Sequence, residues 1–131
     1  MIGPRLGYVI IYVESVPATV AFYQKAFSLK QRFLHESKQY AEMETGQTCL
    51  AFANEEFIKD SHQFRLNRKD KQPAGAEVAF IVEDVSKAYT HAVEEGATPV
   101  LKPVQKPWGQ TVSYVRDNNG FIVEICDEVK G

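Results

Sequence analysis

The chain has 131 residues, 44% hydrophobic and 24% charged, with a net charge of −2, the composition of one globular domain large enough to bury a core unaided. The near-neutral balance lacks the basic footprint of a nucleic-acid binder, and no run of 18 apolar residues offers a membrane span. Two cysteines, Cys49 and Cys126, make no disulfide framework, and the apolar run at residues 8–13 has no signal-peptide pattern, so a reducing cytoplasm is the expected location.

Residues 6–13 (LGYVIIYV) form a β-branched, aromatic run that reads as a buried strand. Ser15 can cap a following helix and Pro17 suits its first turn. Val16, Val20, Tyr23 and Phe27 then recur on one helical face, which ends near Ser28 or Leu29. Three short strands are predicted over 32–35, 40–44 and 48–53, separated by polar pieces, the second of which contains Gly46. Residues 55–75 are polar, rich in basic side chains (Arg65, Arg68, Lys69, Lys71), and read as a linker. A second strand-first half begins at 77–82 (EVAFIV). Asp84 caps a helix whose apolar face is Val85, Ala88, Tyr89, Ala92 and Val93, and Gly96 stops it. Strands are predicted over 99–104, 110–116 and 121–127, the last two joined by a tight turn at Asn119-Gly120.

The two halves repeat one order, βαβββ. Residues 8–16 lie over 77–85, and Gly46–Leu50 falls over Gly120–Glu124 when the terminal glycine hairpins are matched. The reading is a single α+β domain of two modules, about 6–54 and 76–128, joined by the polar linker.

In the entry stretch V-x-x-V-x-A-T-V-A-F-Y (residues 13–23) and the exit stretch D-x-x-G-F-x-V-E-I (residues 117–125), the chain resembles the vicinal oxygen chelate superfamily. That superfamily holds glyoxalase I, bleomycin-resistance proteins, extradiol dioxygenases and fosfomycin-resistance enzymes. The resemblance spans about residues 6–128 and departs at Asn118, where the family usually has proline. It implies curled mixed sheets around a cleft and a homodimer. In metal-dependent members, ligands come from the first and last strand of each module. The repeat alignment puts Tyr8, Leu50, Glu77 and Glu124 at those positions, where the glyoxalase pattern would be His, Glu, His, Glu. Only Glu124 keeps its type. Two carboxylates from one module do not fix nickel, zinc or iron, so no cofactor is expected, the alternative being a divalent metal held weakly through water.

Strand alternation turns Glu77, with Ile122, Glu124 and Cys126, toward the cleft, and likewise Tyr8, Ile10 and Tyr12. Two neighbouring carboxylates favour either a shared proton or a cation between them. Glu77 and Glu124 are therefore candidates for recognising an amine or guanidinium, or for acid–base work, with neutralisation by Arg116 or a lysine as the structural alternative. Trp108, set between Pro107 and Gly109, is a candidate to stack on a flat ligand or to pack at an interface. Tyr8 and Tyr12 would supply aromatic walls. Cys126 reads as an inert cysteine beside Glu124, Cys49 as a core residue facing the helix, and His35, His62 and His91 as scattered, without zinc spacing. The expected function is binding of a small amphipathic or cationic molecule, after the manner of bleomycin-resistance proteins. The alternatives are a metal-dependent lyase or isomerase of glyoxalase type and a dimerising scaffold without chemistry; dioxygenase chemistry is disfavoured.

Overall fold

The computed structural model describes residues 3–129. Strand β1 (Tyr8–Val13) leads into helix α1 (Val16–Phe27), followed by β2 (Lys30–Leu34), β3 (Tyr40–Glu44), β4 (Cys49–Asn54) and the short helix α2 (Glu55–Ile58). The second half carries β5 (Glu77–Ile81), α3 (Val85–Glu94), β6 (Thr98–Gln105), β7 (Thr111–Arg116) and β8 (Ile122–Cys126). The contacts divide the described residues into two compact units, 3–24 with 28–66, and 25–27 with 67–129.

Each unit holds a four-stranded mixed sheet of the same design. In the first the order is β1-β4-β3-β2, with β1 parallel to β4 and the other pairs antiparallel. In the second the order is β5-β8-β7-β6, with β5 parallel to β8. The strand that opens each module thus lies at one edge and pairs with the strand that closes it, which brings residues far apart in sequence side by side.

The helices form where the caps and apolar spacing put them. Ser15 is extended and its hydroxyl accepts from the Ala18 amide at 3.2 Å, satisfying one of the orphan donors of the first turn. The face Val16, Val20, Tyr23 and Ala26 is buried, and the Tyr23 ring lies 4.8 Å from Phe52 of β4. In the second unit Asp84 caps α3 through the Lys87 amide at 3.0 Å. Val85 and Ala92 are buried there, as are Val115, Val123 and Ile125 of the sheet. None of the helices is long and apolar enough to cross a membrane among the described residues.

Two local features depart from the expected pattern. The stretch after β4 opens as helix α2, capped by Asn54, whose side-chain Oδ1 accepts from the Glu56 amide at 2.8 Å. Strand β6 runs eight residues and accommodates Pro99 and Pro103 through two register irregularities against β7, as proline requires where it cannot donate to a ladder.

Candidate ligand-binding site

Each sheet has one face toward its buried apolar core and one open face. On β8, Val123 and Ile125 are buried on the core side, so Ile122, Glu124 and Cys126 take the other. The register brings Glu77 of β5 beside Ile122 and Ala79 beside Glu124, which makes Glu77 and Glu124 diagonal neighbours on the open face. Tyr114 of β7 lies directly opposite Glu124.

Glu77, Tyr114 and Cys126 are neighbours of Glu124 on this face. Glu77 hydrogen-bonds to it, and burial, that bond and the adjacent negative charge push the Glu77 carboxyl up to about 7. A hydrogen bond between two carboxyl groups requires a proton on one of them, so the pair shares a proton below about pH 7 and loses it above. The Tyr114 hydroxyl also bonds Glu124 and is pushed up to about 12, first by burial and then by that contact. Burial and the same carboxylate raise the Cys126 thiol to about 11, so Cys126 is a protonated, unreactive thiol at neutral pH. Arg116 does not neutralise the pair. Its guanidinium donates instead to the carbonyls of Gly120 (2.8 Å), Arg68 (3.1 Å) and Lys71 (2.6 Å).

The shared proton makes stability depend on pH in a stated direction. Glu77 has a folded value above its ordinary 4.5, so the native state binds the proton more tightly than the unfolded state does. Stability falls as pH rises from about 4.5 through about 7 and is flat above it. Because Glu77 is partly exposed, solvent screening reduces the effect to about 1 kcal/mol. Glu77→Gln, which keeps a donor but cannot ionise, removes this component. Melting curves from pH 4.5 to 8 check it, and an equal slope in wild type and variant would refute the shared proton.

The open face of the first sheet follows the same logic with different residues. Phe52 packs toward α1, so Cys49, Ala51 and Ala53 lie on the opposite side, with Tyr8, Ile10 and Tyr12 beside them. Leu50 faces the core, and the residue whose register matches Glu124 is Ala51. Cys49 therefore lies on the open face, contrary to the helix-facing placement expected from sequence, although it is buried. Glu42 of β3 lies opposite Ala51. It accepts the Tyr40 hydroxyl at 2.9 Å, and Arg32 Nε lies 3.7 Å from its other oxygen. Burial and Glu42 raise both the Tyr40 hydroxyl and the Cys49 thiol. Tyr8 is 57% exposed. Tyr12 is engaged by the segment after α2, its hydroxyl 2.9 Å from His62 Nε2 and its ring 4.7 Å from Phe64.

Trp108 stands in the β6–β7 turn, 53% exposed, with its indole N–H donating to Gln110 Oε1 at 3.0 Å. Gln110 in turn donates to the Asp127 carbonyl at 2.9 Å, so the ring is held outward. His35 bonds Ser37 and His91 bonds the Lys25 carbonyl. The structure thus unites Glu77 and Glu124 and adds Tyr114 to them, while Tyr40 and Glu42 join the face that carries Tyr8. Sequence reading missed these last three. The signal for Glu42 was present, because Tyr40, Glu42 and Glu44 alternate with the apolar Ala41 and Met43. Among the described residues, no three His, Cys, Asp or Glu side chains gather closely enough to hold a metal ion.

A sequence profile of the Glyoxalase/Bleomycin resistance protein/Dioxygenase superfamily matches residues 5–125. The uncharacterized protein YraH of Bacillus subtilis (strain 168) is 24% identical over 123 residues, covering 92% of this chain and 96% of that protein. Among solved structures, a glyoxalase-related enzyme from Fulvimarina pelagi aligns with a TM-score of 0.80 at 19% identity, covering 95% of this chain and 88% of the other. A glyoxalase/bleomycin resistance protein/dioxygenase family enzyme from Burkholderia phytofirmans PsJN aligns with a TM-score of 0.76 at 22% identity, covering 97% and 100%. Both alignments show that the chain shares the fold of these structures. With nearly its whole length matched, the chain belongs to the glyoxalase/bleomycin resistance/dioxygenase superfamily.

Proposed function

We propose that this protein binds a small amphipathic molecule carrying one positive charge, and does so without a transition metal. The observation that carries the reading is the Glu77–Glu124 pair. It sits on an open sheet face and, with Glu77 pushed up only to about 7, presents negative charge at pH 7.5. The Arg32–Glu42 and Lys59–Glu56 ion pairs do not touch this pair. A carboxylate beside Tyr114 suits an ammonium or guanidinium head. Within the same unit, Tyr114 beside the pair and the exposed ring of Trp108 would supply aromatic surface for an apolar body.

The donor set argues against a resident nickel, zinc or iron ion. At the positions where metal-dependent relatives place ligands, this chain offers Glu77 and Glu124 from one unit, with Tyr8 and the methyl group of Ala51 from the other. Such ions take three or four nitrogen, sulfur or anionic oxygen ligands at fixed geometry, and a phenol and an alkyl group do not complete such a set. Homodimerisation belongs to the same proposal. Strands β1 and β5 are sheet edges and expose apolar residues such as Val9 and Ile81, surfaces that a second copy would cover.

Calorimetric titration with benzyltrimethylammonium at pH 7.5 tests the reading. Glu124→Gln is expected to weaken binding about fivefold to a hundredfold, the effect of losing one charge-assisted contact of roughly 1–3 kcal/mol. Unchanged affinity would remove Glu124 from the site. Melting after chelator treatment and re-addition of Ni, Zn, Mn or Fe(II) should show no shift. A stoichiometric metal at 100 times its dissociation constant would add about 2.7 kcal/mol, and that result would replace the proposal with a metal-dependent lyase or isomerase of glyoxalase type.

A further inference from the structure

The segment after α2 returns to the open face of its own sheet and ends there in two rings. His62 and Phe64 both settle on Tyr12, and their own ring centroids lie 5.9 Å apart. The hydrogen bonds fix the chemistry of this contact. Ser61 Oγ donates to the Ile58 carbonyl at 2.9 Å and lies 2.7 Å from His62 Nδ1. With its proton so used, the Ser61 oxygen accepts, and His62 Nδ1 carries the hydrogen. In the neutral imidazole Nε2 is then the acceptor, and the Tyr12 hydroxyl donates to it at 2.9 Å. Phe64 adds its ring to that of Tyr12 in edge-to-face geometry, with an interplanar angle of 62°.

The segment itself is lightly fastened. Among the described residues, 62–66 make no backbone–backbone hydrogen bond, and Leu66 is largely exposed. The side chains that meet Tyr12 are part of the segment's hold on the sheet. These side chains show what suits the Tyr12 end of the face: a ring nitrogen with a free lone pair for the hydroxyl, and an apolar ring set against the phenol.

We propose that Tyr12 marks a ring-binding subsite filled in this structure by the chain's own His62 and Phe64, and that a neutral heteroaromatic group with an acceptor nitrogen enters it by replacing them. This rests on reading the open sheet faces as ligand-binding surfaces and adds a second ligand chemistry, an uncharged aza-aromatic ring, to the cationic one assigned to Glu77 and Glu124. The internal rings would lower the apparent affinity, because a ligand must first displace them.

The probe is 4-phenylimidazole at pH 8, titrated by calorimetry into wild type, His62→Ala/Phe64→Ala and Tyr12→Phe/His62→Ala/Phe64→Ala, each checked by circular dichroism and melting. The double variant is expected to bind at least tenfold more tightly than wild type, and the triple variant to lose most of that gain because the hydroxyl donor is gone. If the double variant destabilises the sheet, His62→Ala alone serves, with a gain of about threefold or more. Equal affinity in wild type and folded variants would overturn the subsite, as would a gain that survives Tyr12→Phe. Benzyltrimethylammonium run on the same samples separates the two readings. If it binds wild type while 4-phenylimidazole shows no gain, the subsite fails and the cation site stands. If 4-phenylimidazole shows the gain while benzyltrimethylammonium does not bind, the subsite stands and the cation reading fails.

Discussion

Gly120→Ala is expected to destabilise the protein by about 3–4 kcal/mol and to lower its melting temperature by roughly 10 °C. Gly120 has a φ of 84°, in the left-handed region, and a Cβ there would run into the Arg68 carbonyl and the Arg116 guanidinium. Backbone strain alone accounts for roughly 1–2 kcal/mol. The rest comes from displacing Arg116, which ties the β7–β8 hairpin to the Arg68 and Lys71 carbonyls, so that charge-assisted hydrogen bonds are lost together. Gly46 provides the control. It closes the matching hairpin of the first unit at a φ of 92°, yet a Cβ there meets nothing within 4 Å. Gly46→Ala should therefore cost only the strain component. Denaturant unfolding of both variants gives the comparison, and equal losses at the two glycines would show that the close approach at Gly120 carries no stability.

The same two glycines explain what could be read from the sequence and what could not. The order βαβββ, twice, was legible because caps, helical spacing and glycine hairpins act locally: Ser15, Asp84 and the Asn119-Gly120 turn all do what their chemistry dictates. Strand limits agree within a few residues, while α2 escaped because a four-residue helix is too short to show a periodicity and only Asn54 marks its start. The assignment of Leu50 failed for a sharper reason. Matching the hairpin glycines puts Leu50 over Glu124, but in the first unit the open-face position follows the glycine by five residues, not four, as the register of Glu42 with Ala51 shows. A slip of one residue turns every side chain to the other face of a strand, and the same slip sent Cys49 to the wrong side.

The candidate site divides along the same line. Glu77 and Glu124 could be paired from topology, because the opening and closing strands of a module are neighbours. That Tyr114 completes the pair depends on the β7–β8 register, which the hairpin sets. The approach of His62 and Phe64 to Tyr12 is a long-range packing event with no periodic signal in a polar segment, and alternation along β1 reveals only which way Tyr12 points.

Glu124→Lys is expected to abolish binding of benzyltrimethylammonium, by a factor of a hundred or more, while preserving the fold. The charge at the acceptor is reversed, so a cationic head meets repulsion where it met a carboxylate, and a hundredfold loss corresponds to about 2.7 kcal/mol. The substituted ammonium also faces Glu77 across the strand pair. Glu77 no longer has a neighbouring anion, and an opposite charge favours its ionised form, so its carboxyl falls from about 7 toward or below its ordinary range. The pH dependence then changes sign. Where wild type loses stability as pH rises through 7, the variant retains its stability in that range and loses it only as acid protonates Glu77. Calorimetry at pH 7.5 and melting at pH 5, 6 and 8 read the two effects on one sample. Loss of binding with an inverted pH slope identifies the pair as the charge that a ligand meets. Retained affinity would place the cation site elsewhere, and a pH slope unchanged from wild type would mean that Glu77 does not answer to the charge at position 124.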